Sequence, residues 1–184
     1  GPSGSGKTTL LTLIAGLLQP SEGKISLFKK QIDSYSSAEL QRLRAKKIGF
    51  IFQTFLLIDA LTALQNIELV LRFAFKSKKE AKRIAANLLK ELEIDYLADK
   101  LPTTMSQGEK QRVAVARAIA NNAELILADE PTASLDGANG LIIIELLHNY
   151  AAKNNKCVIV VSHDLRLKEY ADRIIKLEDG KILN

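Results

Sequence analysis

The first eight residues carry the feature that most constrains what this chain can fold into. They read Gly1-Pro2-Ser3-Gly4-Ser5-Gly6-Lys7-Thr8, which matches the phosphate-loop pattern in full, and an apolar helical segment follows directly. Backbone N–H groups of such a loop close on an anion, and the positive end of the next helix faces the same anion. A Gly/Ser-rich turn before a helix is the alternative, but it does not require Lys-Thr at this place. We therefore expect residues 1–9, ending at Thr9, to bind nucleotide phosphates.

A second segment adds two carboxylates to this site. The apolar residues 125–128 predict a strand, and Asp129 and Glu130 stand at its carboxyl end, where α/β proteins bind ligands. We expect Lys7 to reach the β- and γ-phosphates, and Thr8 and Asp129 to hold Mg²⁺. Glu130 would then be the base that orients and deprotonates the attacking water. Acids at strand ends are common loop residues, so this interpretation depends on the phosphate loop.

Composition limits the remaining possibilities. The 184 residues are 47% hydrophobic, enough for one domain with a sizeable core, and the net charge of +5 predicts no nucleic-acid-binding arm. No apolar run approaches the roughly 18 residues needed to span a bilayer. The single cysteine, Cys157, lies in an apolar run and is expected to be a buried thiol. Because residue 1 already lies inside a motif, we expect the chain to lack an N-terminal part, including the strand that precedes the loop.

Predicted strands and helices alternate along the chain, which is typical of an α/β protein with a parallel sheet. Ser77 and Glu80 stand at capping-box distance before one of the helices. Asp179-Gly180 indicates a hairpin near the end. Helices are predicted at 8–18, 37–46, 62–75, 78–93, 106–120 and 138–153. Strands are predicted at 24–28, 48–52, 125–128, 157–161, 173–177 and 181–183.

The segment from Met105 to Ala118 points to a family. Its start, Met105-Ser106-Gln107-Gly108-Glu109, resembles the signature motif of ATP-binding cassette (ABC) proteins. A capping box formed by Ser106 and Glu109 would start any helix, but it does not explain the other motifs. Gln53 follows a predicted strand, Ser134-Leu135-Asp136 follows the acidic pair, and His163 follows Val160-Val161-Ser162, all in the family's order.

This resemblance implies a fold and an activity. The fold is the P-loop NTPase fold of ABC ATPases, one α/β domain over residues 1–184 with a parallel core sheet and an inserted α-helical subdomain at approximately 54–104. The activity is ATP hydrolysis with Mg²⁺ in a head-to-tail homodimer. Such subunits power a separate integral membrane permease, to which they bind on the cytoplasmic face of the cell membrane.

The resemblance also implies residue roles. Gln53 is similar to the glutamine that contacts Mg²⁺ and the attacking water, and His163 to the histidine that contacts the γ-phosphate. Asp136 resembles the aspartate that communicates across the dimer. The signature residues, Ser106-Gln107-Gly108-Glu109, resemble those that bind the ATP held by the other subunit, with Ser106 and Gly108 on its γ-phosphate.

Two features depart from the family pattern. Gln107 stands where the family usually has glycine, and Glu109 where it often has glutamine. A side chain and a negative charge therefore lie near a phosphate site that is normally small and neutral. The aromatic residue that stacks on adenine lies upstream of the phosphate loop in this family, so no residue of this chain is assigned to it.

Several functions compete. Segments 48–53, 61–68 and 127–132 look most like the ATPase subunits of the lipoprotein-release and macrolide-export group, in which a groove on the helical subdomain receives the permease. A cassette ATPase of DNA repair is disfavoured, because only about fifty residues separate Gln53 from the signature. A translation-associated cassette protein and an inactive cassette remnant stay open. A small kinase shares the phosphate loop but has no use for Glu130 or the signature helix.

Overall fold

The computed structural model describes residues 4–183, so the predictions for Gly1, Pro2 and Ser3 lie outside the described residues. Helices and strands alternate as the sequence predicts. The helices are α1 (Lys7–Ile14), α2 (Ser37–Lys47), α3 (Ala63–Phe73), α4 (Lys78–Glu91), α5 (Gln107–Ile119) and α6 (Gly137–Asn154). The strands are β1 (Ser26–Leu27), β2 (Lys30–Gln31), β3 (Ile48–Ile51), β4 (Leu125–Asp129), β5 (Cys157–Val161), β6 (Lys176–Glu178) and β7 (Lys181–Leu183).

A parallel sheet in the order β3-β4-β5 forms the centre of the fold. Every residue of β4 is buried, as its apolar composition predicts. The register pairs Ile51 with Ala128 and Asp129 with Val161, so the three strands end at one edge. The residues that follow each strand therefore meet there. This arrangement confirms the predicted α/β class, and β6 and β7 form the predicted antiparallel hairpin.

Helix α5 packs closely on β3 at Gly49. A Cβ atom built there would lie 2.1 Å from the Ala118 carbonyl oxygen and 2.8 Å from its carbonyl carbon, so only glycine fits. The close approach fixes the signature helix against the strand that leads to Gln53.

The region between β3 and β4 is helical and has its own apolar core. Side chains of α3 and α4, including Ile67, Leu71 and Leu89, pack with Val113 and Ala116 of α5. Other residues of α5 pack into a second core with the sheet and α6, namely Val115, Ala118 and Ile119. The signature helix thus belongs to both cores, whereas α1 packs on the opposite side of the sheet in a third.

Several local predictions are wrong. The strand predicted at 173–177 begins only at Lys176, and the strand predicted at 24–28 is limited to Ser26–Leu27. Helix α1 ends at Ile14 rather than at residue 18, because Gly16 adopts a left-handed conformation with φ of 63°. Cys157 is exposed rather than buried, since it begins β5, which pairs only with β4 among residues 4–183. Ser77 caps α4, but the Glu80 carboxylate binds Lys76 at 3.0 Å instead of closing a capping box.

Candidate nucleotide site

The described part of the phosphate loop has the backbone that its glycines predict. Gly4 and Gly6 have φ angles of 80° and 90°, which a residue with a side chain rarely adopts. Gly6 is the N-cap of α1, so the start of that helix opens onto the loop. Lys7 donates a 3.3 Å hydrogen bond to the Ser5 hydroxyl, and the Gly180 N–H donates to the Ser5 carbonyl at 3.2 Å. The turn of the β6-β7 hairpin therefore supports the loop.

The phosphate loop meets the acidic strand end through one hydrogen bond. The Thr8 hydroxyl donates to Asp129 Oδ2 at 2.8 Å across 121 positions of sequence. Asp129 is buried at the end of β4, while Thr8 is exposed in the first turn of α1. Two of the three predicted metal ligands are therefore neighbours, and both offer oxygen atoms.

Glu130 and His163, for which the sequence predicts separate roles, lie side by side. His163 Nδ1 lies 3.0 Å from Glu130 Oε2, and the same oxygen accepts from the His163 N–H at 3.4 Å and from the Ser162 hydroxyl at 3.0 Å. The Glu130 side chain is 13% exposed and the His163 side chain 73%. Glu130 also has a φ of 46°, and its own N–H donates to the Val161 carbonyl at 2.9 Å. The carboxylate is thus held in one orientation, with the histidine open to solvent.

The loop after β5 is tied to the loop after β4 by residues that the sequence did not single out. The buried Thr132 donates from its hydroxyl to Asp164 Oδ2 at 2.8 Å, and the Asp164 N–H donates to the Ser162 hydroxyl at 3.1 Å. Gln111 of α5 donates to the Pro131 carbonyl at 2.6 Å. No spacing rule marks these partners, because the sheet and the packing of α5 bring them together from distant parts of the chain.

The signature helix α5 begins with a complete capping box, as predicted. The Ser106 side chain accepts from the Glu109 N–H at 3.2 Å, and the Ser106 N–H donates to Glu109 Oε2 at 2.8 Å. Lys100 lies 3.5 Å from Glu109 Oε1. The hydrogen bond from the Ser106 backbone is the main cause of the lowered pKa of Glu109. The unusual negative charge is therefore engaged in the cap and faced by a lysine, while Gln107 is exposed.

Asp136 caps α6 and contacts the signature segment through Asn139. Its Oδ1 accepts from the Asn139 N–H at 2.9 Å, and its Oδ2 from the Asn139 side chain at 2.7 Å. A Cβ atom at Gly108 would lie 2.7 Å from Asn139 Oδ1. The absence of a side chain at Gly108 therefore leaves space for the Asn139 amide. Two predicted contact segments for a partner subunit therefore lie side by side.

Gln53 is exposed after β3, and among the described residues no hydrogen bond joins it to Thr8 or Asp129. The next residues are held by α5. Arg117 donates to the carbonyls of Phe55, at 2.7 Å, and of Leu56. Both loop residues have positive φ, and burial lowers the pKa of Arg117 to about 10. The loop is thus attached to α5 at Phe55 and Leu56, while Gln53 is exposed to solvent.

Comparison with known proteins decides the family. Residues 1–133 match the model of the family described as ABC transporter. The chain belongs to this family, and it is an ATP-binding and ATP-hydrolysing subunit. The predicted membership and fold are confirmed. The parallel sheet and the helices packed on it are therefore those of an ABC ATPase.

Individual relatives support the same assignment. An uncharacterized ABC transporter ATP-binding protein of Methanocaldococcus jannaschii is 43% identical over 99% of this chain and 79% of that protein. A dimeric structure of that cassette in a post-hydrolysis state, bound to ADP and Pi, covers 100% of this chain and 81% of its own, with a TM-score of 0.91 at 42% identity. A putative hemin import ATP-binding protein of Staphylococcus haemolyticus is 43% identical over 99% of this chain and 82% of its own length. A macrolide export ATP-binding/permease protein of Campylobacter jejuni is 40% identical over the whole chain, which spans 28% of it.

Proposed function

We propose that this ABC ATPase hydrolyses Mg²⁺-ATP between two subunits and thereby drives a separate membrane permease. The observation that carries the proposal is the hydrogen bond of 2.8 Å between Thr8 and Asp129, with Glu130 next in the chain. This hydrogen bond brings the phosphate loop next to the end of β4, so that the proposed metal ligands and the proposed general base belong to one site. The roles of Ser106, Gly108 and Asp136 toward the partner's nucleotide belong to the same proposal.

The donor set fits Mg²⁺. Magnesium prefers oxygen ligands and commonly takes one or two carboxylates together with substrate phosphates. Residues 4–183 contain no cluster of three or more His, Cys, Asp or Glu that could hold a metal ion. Thr8, Asp129 and Gln53 would hold the ion. When bound, it would neutralise charge that develops on the transferred phosphoryl group.

The protein's own residues supply positioning and a proton acceptor. The contacts from Ser162 and His163 all fall on Glu130 Oε2, and no hydrogen bond from the described residues falls on Oε1. We assign Oε1 to the attacking water, whose proton it accepts. His163, open to solvent beside it, is placed to donate a hydrogen bond to the γ-phosphate, and Lys7 balances the phosphate charge.

A groove next to the helical region supports the permease partner. It has a volume of about 350 Å³ and is lined by Phe52, Leu56, Val70 and Phe73 together with Arg44 and Arg117. Leu56 and Phe73 are exposed together in this groove, and a contiguous exposed apolar patch is typical of a protein-binding surface. No helix within residues 4–183 has the length and apolarity needed to cross a membrane. We propose that a permease segment on the cytoplasmic face of the membrane fills this groove.

We propose export or release as the direction of transport, because segments 48–53 and 61–68 resemble the lipoprotein-release and macrolide-export group. The macrolide export relative supports this direction. Import is the specific alternative, because a relative of similar identity is described as a putative hemin import protein. The membrane topology of the protein encoded beside this gene distinguishes the two.

The hydrolytic role is tested by Glu130→Gln. The amide cannot accept the proton of water, so ATP turnover should fall by about 100-fold or more while ATP still binds. Glu124→Gln is the matched control, since within residues 4–183 the Glu124 carboxylate forms an exposed ion pair with Lys47 at 3.0 Å, outside the site. Sedimentation with ATP should detect a stable dimer of the Glu130 variant. Wild-type turnover in Glu130→Gln would overturn the proposal.

A further inference from the structure

We propose, building on the function proposed above, that Arg166 is a positioning residue that couples the His163 loop to the Asp136 loop within one subunit. Arg166 contacts neither the phosphate loop nor the predicted metal ligands among the described residues. It lies three residues after His163, in the short 3-10 helix Leu165–Glu169. Its guanidinium group reaches across to the start of α6.

One side of the guanidinium group holds the His163 loop. Arg166 Nε donates to Asp164 Oδ1 at 3.0 Å, and Nη2 donates to Asp164 Oδ2 at 2.7 Å. This two-point geometry, which a lysine cannot reproduce, fixes the carboxylate in one plane. The Asp164 side chain is only 14% exposed, and its other partner is the buried Thr132. The hydrogen bonds from Arg166 are the main cause of the pKa of Asp164 falling to about 2.

The other side of the guanidinium group holds α6. Arg166 Nη1 donates to the Gly137 carbonyl at 2.6 Å, one residue after Asp136. The buried Gly140 provides the space, because a Cβ atom there would lie 2.6 Å from Nη2 and 3.1 Å from Nη1. Alanine would otherwise suit this helical position better than glycine. The packing of the Arg166 guanidinium group on Gly140 therefore connects the segment after His163 specifically to α6, directly after Asp136.

The hydrogen bonds continue from this contact to the proposed general base. The Asp164 N–H donates to the Ser162 hydroxyl, which donates to Glu130 Oε2. Arg166 thus joins a path with Glu130 at one end and the cap of α6 at Asp136 at the other. When ATP changes the position of His163 and Glu130, the path moves Asp136, which faces the partner in the proposed dimer. We infer that Arg166 carries cooperativity between the two ATP sites.

The test measures cooperativity rather than activity alone. Arg166→Met should lower the Hill coefficient for ATP hydrolysis from above 1 to about 1, because the coupling free energy between the two ATP sites is lost. The ATP concentration at half-saturation should rise by about twofold, because the loss of a coupling of about fivefold shifts the midpoint of two equivalent sites by its square root. Gly140→Ala, which keeps every donor but displaces the guanidinium group, should have the same effect. A merely structural role would lower the active fraction and leave the Hill coefficient unchanged.

The double variant makes the test specific. Gly140→Ala should add nothing in the Arg166→Met background, because the group it displaces is gone. Arg173→Met, which removes an exposed arginine from the same C-terminal region, should behave as wild type. A Hill coefficient of 1 in the wild type, an unchanged coefficient in Arg166→Met, or additive effects in the double variant would overturn the coupling. If any of these results occurs but Glu130→Gln still loses ATP turnover, the coupling role of Arg166 is wrong and the proposed ATPase function is unaffected.

Discussion

The Ser162 hydroxyl donates a hydrogen bond of 3.0 Å to the Glu130 carboxylate. Through this contact the residue that follows β5 orients Glu130, which follows β4. Ser162 also accepts from the Asp164 N–H, so its hydroxyl is engaged on both sides. The orientation of the proposed base therefore depends on a residue that touches no nucleotide in the proposed mechanism.

Replacing Ser162 by alanine should reduce kcat about fivefold to tenfold with little change in KM. The loss corresponds to about 1 kcal/mol for a hydrogen bond that orients the reacting carboxylate. Ser162→Thr keeps the hydroxyl and should retain most of the activity. Steady-state ATP hydrolysis measures both variants, and equal activities for alanine and threonine would contradict the assignment.

The proposed sharing of each site between two subunits predicts rescue in mixtures. Lys7→Ala removes the phosphate-binding amine, and Ser106→Arg blocks the start of α5, so each subunit alone should be inactive. In an equal mixture about half of the dimers contain both variants and one intact site, which should restore about a quarter of the wild-type rate. ATPase assays of stable mixed dimers test this, and no recovery would show that the site is not shared.

Replacing Gln107 by glycine should strengthen ATP-dependent dimerisation. The cap of α5 depends on Ser106 and Glu109, so it survives the change. The exposed side chain at the start of the helix is removed from the proposed approach to the partner's γ-phosphate. We expect about fivefold tighter association, or about 1 kcal/mol, in sedimentation with ATP in the Glu130→Gln background. A weaker dimer would mean that Gln107 makes a favourable contact of its own.

The lowered pKa of Asp164 predicts that the fold loses stability in acid. Its pKa lies at about 2, below the ordinary value of 3.8, mainly because Arg166 binds the carboxylate. The folded state therefore releases this proton more readily than the unfolded state. The resulting stability is complete above about pH 4 and is lost as the pH falls toward 2. Urea unfolding at pH 5 and pH 3 should show a larger loss in the wild type than in Asp164→Asn, and equal losses would contradict this origin.

Gly49→Ala should destabilise the fold by about 3 kcal/mol, at the upper end of what overpacking costs. The added methyl group would overlap the Ala118 carbonyl, which belongs to the backbone of α5. Ile126→Val removes the side-chain atom 2.6 Å from the new Cβ but not this carbonyl, so it should not restore stability. Urea unfolding measures both variants, and full rescue by Ile126→Val would place the clash on the side chain instead.

Local chemistry predicts much of this molecule. The apolar run at 125–128 and the glycines of the phosphate loop specify their own conformations, and the Ser106 cap needs only Glu109 three residues later. Helix α1 is shorter than predicted because one left-handed glycine outweighs the apolar residues after it. Cys157 is exposed because burial of a β-branched run depends on its neighbours in the sheet, which no local pattern specifies.

The contacts around the predicted site residues were harder to foresee. Thr132, Ser162, Asp164 and Arg166 are ordinary polar residues in loops, and their partners lie 2 to 32 positions away. Only the register of β4 against β5 brings the two loops together. Motifs name the residues that are proposed to contact the nucleotide, whereas the register of the strands determines which residues hold those side chains in place.

Helix α5 has a mechanical consequence. Its 13 residues make a rod about 20 Å long, capped at Ser106 near one end and bound at Arg117, near the other, to the loop that borders the groove. The rod packs against two cores, and Gly49 leaves no gap beneath it, so bending is opposed along its length. A permease segment that moved the Phe55-Leu56 loop would therefore displace the start of α5 at Ser106 as well, about 20 Å away.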